Sequence, residues 1–164
     1  MEFSRVEQKK KGRNGPNRIG TITLISFFGI YAGIHAYLLR WTCDDAFISF
    51  RYAKNAAQGL GLVFNSGERV EGFTNFLWTA FLIPAIGLGA SPVYSSWVLS
   101  LFSMLGLFLF LGHRQYQYGN QRHWPLLLAG LLSITLHFLV FATSGLETMA
   151  FSVTAFLGLY FALG

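Results

Sequence analysis

Charge is scarce in this chain. Only 12% of its 164 residues are Asp, Glu, Lys or Arg, and just seven are acidic. A soluble domain carries about twice that fraction, so a solvated globular surface is excluded. Cysteine occurs once, at Cys43, which rules out an intrachain disulfide. No histidine near Cys43 offers a base for nucleophilic chemistry, and the residue reads as a small interfacial side chain. The four histidines, His35, His113, His123 and His137, are scattered without metal-ligand spacing. No glycine-rich phosphate loop is present, since the short Gly59-Leu60-Gly61 reads as a helix stop.

What the chain has instead is apolar length. It is 53% hydrophobic and 17% aromatic. Apolar runs of roughly 17–25 residues mark transmembrane helices. Residues 19–41, 92–112 and 124–143 qualify, and 148–164 begins another run. Residues 73–89 are apolar but shorter, and Pro84 interrupts them. The expected fold is all-α, a polytopic membrane protein with about four transmembrane helices. The run at 19–41 is longer than a signal-peptide core of about 7–15 residues and lacks a cleavage site. It reads as a retained signal anchor.

The net charge of +5 is unevenly placed. Six of the twelve cations, Arg5, Lys9, Lys10, Lys11, Arg13 and Arg18, precede the first apolar run. That is the positive-inside signal of a cytoplasmic N-terminus, with a nucleic-acid tail the weaker reading. Residues 1–18 form a basic tail that also suits anionic lipid. Residues 19–164 form the membrane domain, and 42–90 its extracytoplasmic loop. Two topologies follow. If 73–89 crosses, the loop 113–123 lies outside. If 73–89 lies in the outer interface, Arg114 and Arg122 fall inside, and Asp44, Asp45, Glu68, Glu71 and Glu147 share the outer face. The second obeys the charge rule better.

The stretch DDAFISFRYAKNAAQGLGLVFNSGERVEGFTN, residues 44–75, holds four of the seven acidic residues. Thr42-x-x-Asp45 has capping-box spacing and opens a helix of about 14 residues. Asp44, Arg51 and Asn55 fall within about 40° of one face. Plain capping by the Asp pair competes with a catalytic reading. Residues 62–64 read as a short extended run, and Asn65-Ser66-Gly67 as a turn. Ser144-x-x-Glu147 has capping-box spacing too, with Glu147 at the third helical position.

FRYAxN, N-x-GERVEG-x-TN and the later SGLE, following an Asp-Asp pair, form a specific combination. Together they resemble the N-terminal part of the GT-C glycosyltransferase superfamily. The nearest resemblance is to the bacterial branch that includes the mycobacterial terminal arabinofuranosyltransferases, and it covers residues 18–164. It implies a multi-pass enzyme of the cell inner (plasma) membrane, with its site at the outer face and a polyprenyl-phosphate sugar donor. It implies amphipathic interfacial helices at 45–58 and 73–88. An acidic residue directly after the first helix activates the acceptor hydroxyl in this family; that position matches Asp44, with Asp45 its neighbour. Family members carry many more helices, so the chain is expected to be a truncated piece.

The chemistry is consistent with the residues present. A carboxylate takes the acceptor proton. Arg51, Arg69 and Lys54 suit the leaving phosphate. Asn55, Glu71, Asn75 and Glu147 suit sugar hydroxyls. The acceptor is a glycan, lipid or protein of the cell envelope. Some GT-C enzymes use a divalent cation, which paired carboxylates would suit. The competing class is a non-catalytic scaffold or a transporter fragment. A transporter would place its charges inside its spans, whereas here they cluster between spans.

Overall fold

A computed structural model describes residues 18–68, 70, 72–119 and 121–163. Most of the basic tail, with Arg69 and Glu71, lies outside the described residues. Among the described residues seven helices run in order: α1 (Arg18–Leu38), α2 (Ala46–Ala57), α3 (Phe76–Gly87), α4 (Pro92–Tyr118), α5 (Trp124–Ile134), α6 (Leu136–Phe141) and α7 (Thr148–Leu163). There is no strand among the described residues; 62–64, expected to be extended, is irregular chain.

Among the described residues two helices are long and apolar enough to cross a membrane, Ile19–Leu38 and Pro92–Tyr118. The shorter apolar helices are α3, α5 and α7. At 12 residues, α3 is about 18 Å long, against a hydrocarbon core of about 30 Å.

Polarity runs opposite to that of a soluble bundle. Val98, Phe102, Leu105 and Leu109 form one stripe of α4 and are each more than half exposed. The opposite face buries Ser96, Ser100 and Gln115 completely. Water would penalise that outward stripe, whereas lipid accepts it, and small residues let membrane helices approach closely. The composition and this inversion are consistent with a membrane protein.

The main core joins α1, α4, α5, α6 and α7 through Ile25, Ala32, Met104, Leu107, Ala129, Leu139 and Met149. A second cluster joins α2 to α3 through Ala46, Phe50, Ala53, Trp78 and Leu82. Leu146 and Ala150 pack against this second cluster. The loop before α7 is thereby drawn onto α2 and α3.

Three boundaries differ from the sequence reading. Helix α4 runs six residues past the apolar stretch, to Tyr118, before Gly119 turns the chain with a φ of 56°. The run 124–143 is broken at Thr135, whose ψ of 107° leaves the helical region. Hydroxyl back-bonding coincides with the break. Ser133 and Thr135 donate to the carbonyls of Gly130 and Leu131, both at 2.7 Å, and such back-bonding bends helices. Finally, α2 has 12 residues rather than about 14, and Gly59 follows it at a φ of +80°.

Candidate active site

Neither expected capping box forms, and this determines which carboxylates are free. At the start of α2, the N–H groups of Ala46, Phe47 and Ile48 donate to the carbonyls of Cys43, Asp44 and Asp45 at 3.1–3.2 Å. The backbone caps itself, and Asp45 makes no side-chain cap bond. Asp44 and Asp45 are both exposed, and neither carboxylate is used to start the helix. In the second motif, Ser144 Oγ accepts from the Leu146 N–H at 3.3 Å. Glu147 lies just before α7 rather than at its third position, its carbonyl accepting the Phe151 N–H at 2.8 Å.

The loop 142–147 is fastened to the front of α2. Cys43 N–H donates to Ser144 O at 2.8 Å, and Trp78 Nε1–H donates to Gly145 O at 3.0 Å. Gly145 has a φ of +86°, and a Cβ there would lie 2.8 Å from Ala46 Cβ and 3.0 Å from Thr42 Cγ2. Only glycine allows the loop to pass this close.

Asn75 is the junction that results. Its Oδ1 accepts from Ser49 Oγ at 2.9 Å and from Thr79 Oγ1 at 3.1 Å. Its Nδ2 donates to Glu147 Oε2 at 2.8 Å. Two hydroxyl donors fix the orientation of the carboxamide, and the carboxamide in turn fixes Glu147. Asp45, Ser49, Gly72, Thr74, Asn75 and Glu147, with apolar neighbours, line one cavity of about 290 Å³. It sits near the lower end of small-molecule pockets, which span about 300–1,000 Å³. Two carboxylates, two hydroxyls and a carboxamide facing one space can accept a proton and bind sugar hydroxyls.

The remaining candidates divide. Asp44 does not line this cavity. Asn55 is buried, and its Nδ2 donates to Val63 O at 2.8 Å and Phe64 O at 2.9 Å. Arg51 Nε–H donates to Phe64 O at 3.1 Å. These two share the expected stripe, but their contacts hold the loop after α2 rather than line the cavity. Arg69 and Glu71 lie outside the described residues. Among the described residues no three His, Cys, Asp or Glu side chains come together to hold a metal ion.

Ser49, Trp78 and Thr79 carry no expectation from the sequence, and Gly145 enters it only as part of the SGLE motif. Only the Asn75-x-x-x-Thr79 spacing, one helical turn, signals such a pair.

Comparison with curated proteins decides the relationship. Over 154 residues and 87% of the chain, 33% of positions are identical to a terminal beta-(1->2)-arabinofuranosyltransferase of Mycobacterium tuberculosis. The chain is similar to terminal arabinofuranosyltransferases. A second arabinofuranosyltransferase, from Corynebacterium glutamicum, is 44% identical over 73 residues and 41% of the chain. The chain spans 24% of the length of the first arabinofuranosyltransferase and 10% of the second. No family model matches the chain, and no solved structure matches it.

Proposed function

We propose that this chain forms the catalytic-loop part of a GT-C membrane glycosyltransferase. It moves an arabinofuranosyl unit from a polyprenyl-phosphate donor to a cell-envelope glycan, with lipid and protein acceptors as further classes. The site faces outward from the inner membrane, the N-terminus is cytoplasmic, and α2 and α3 lie in the outer interface. The observation that carries this reading is the meeting of Asp45 and Glu147 on one cavity.

The reaction forms a bond between the acceptor oxygen and the anomeric carbon and breaks the bond from that carbon to the donor phosphate. The acceptor proton passes to a carboxylate, and the bonding pair leaves on the phosphate. The cavity favours Asp45 as that base over Asp44, the position implied by family resemblance. Asp45 has no competing hydrogen bond among the described residues. Glu147, oriented by Asn75, accepts from a sugar hydroxyl.

The test is transfer from a polyprenyl-phosphate arabinofuranose donor in liposomes, with membrane abundance measured alongside. Asp45→Asn should lower turnover by about 10²–10⁴-fold, and Asp44→Asn should lower it less. Near wild-type turnover in Asp45→Asn would sink the assignment of the base.

A further inference from the structure

A second cavity of about 310 Å³ lies beside the first. The two share Ile48 and Gly72 in their walls. Tyr52 builds that wall. Its hydroxyl donates to Val70 O at 2.6 Å and accepts the Gly72 N–H at 3.0 Å. A Cβ on Gly72 would stand 2.8 Å from the same hydroxyl, so only glycine lets the partition lie so close to α2.

The second cavity pairs an aromatic floor with a polar rim. Phe64 is 42% exposed and leans on the buried Tyr52 at 5.8 Å between ring centroids. At the rim, Asn65 Nδ2 donates to Glu68 Oε2 at 3.2 Å. This leaves Glu68 Oε1 as an acceptor, and the second Nδ2 proton of Asn65 as a donor. A sugar ring has the matching shape: an apolar C–H face for an aromatic ring, and a hydroxyl edge for a carboxylate and an amide. A prenyl chain would match the floor and leave the rim unused.

We propose that this cavity is a subsite for the second sugar of the glycan acceptor, the residue adjoining the one that reacts in the first cavity. The proposal rests on the glycosyltransferase reading above. It makes the preference for a disaccharide over a monosaccharide a property of Phe64 and Glu68.

The experiment is direct binding by saturation-transfer NMR on the detergent-solubilised protein, with an arabinofuranosyl disaccharide and its monosaccharide as probes. The disaccharide should bind roughly tenfold more tightly, the effect of one good polar contact. Phe64→Ala, Phe64→Leu and Glu68→Gln should each erase that advantage. Phe64→Leu keeps apolar bulk without the ring face, so a loss shared by both Phe64 variants is not a folding defect. Equal affinities in the wild type would overturn the proposal, as would an advantage that survives these substitutions. Displacement of the disaccharide's second ring by farnesyl phosphate would assign the cavity to a prenyl chain and overturn it too. Binding is read without turnover, so the two readings fail separately. A protein with the disaccharide preference but no transfer keeps the subsite and loses the enzyme; one that transfers sugar without the preference does the reverse.

Discussion

The free carboxylates near α2 are a backbone effect as much as a side-chain one. Because the first turn bonds carbonyls three residues back, Asp44 and Asp45 are not consumed as caps. Gly145 then brings the opposing carboxylate within reach of Asn75. Gly145→Ala should therefore be costly for a one-methyl change. The left-handed backbone alone costs about 1–2 kcal/mol for an L-residue, and the close approach to Ala46 and Thr42 adds to that. We expect a lower melting temperature in detergent and a loss of transfer comparable to Glu147→Gln; unchanged melting and transfer would show that the loop docks without this approach. At this scale the sequence was partly legible. Asp45, Asn75 and Glu147 stand out because polar groups are rare in so apolar a chain. Gly145, Ser49 and Trp78 do not, because a glycine, a serine and a tryptophan are ordinary in such a chain until a partner distant in sequence sits against them.

Among the elements, hydropathy marked the apolar runs that hold α1, α3, α4 and α7, whereas α2 was legible from capping-box spacing; hydropathy misjudged where α4 ends and read α5 and α6 as one run. A hydropathy run measures lipid depth, whereas a helix ends where its hydrogen bonds do. The polar residues His113 to Tyr118 therefore stay helical. The bend at Thr135 has no proline or glycine to announce it. The apolar stripe of α4 supports a sharper expectation. Phe102→Lys sets a charge on the exposed face and should cost about 2.5–3.5 kcal/mol of insertion free energy at mid-membrane. Ser103→Ala removes only a hydroxyl bonded to Leu99 O at 2.9 Å and should be near neutral. Membrane-fraction abundance of the two variants decides between a lipid-facing and a solvent-facing stripe; equal abundance would count against lipid.

For the whole molecule, the number of crossings follows from which short helices pair to span the bilayer. The proposed arrangement places Ser66 and Thr148 outside and Gln117 inside. Single cysteines at these positions, in a Cys43→Ser background, should react with an impermeant thiol reagent in intact cells at 66 and 148 but not at 117. Labelling at 117 but not at 148, with 66 still labelled, would put α3 across the membrane. The composition made the membrane class plain. Which helices cross is harder to read, because α3, α5 and α7 are each too short to declare a side and their depth depends on neighbours.

The Asn75 junction also has a consequence for biosynthesis. Its acceptors and donors come from α2, from the start of α3 and from the loop before α7, so a growing chain makes them at well-separated times. Ser49, Asn75 and Thr79 leave the ribosome early and can pair at once. Glu147 follows only after α4, α5 and α6 have been made. Until then the Asn75 amide faces an empty position, and the cavity lacks one of its two carboxylates. The cavity is thus completed late, by a segment that must come back to the first loop after three further helices have been made.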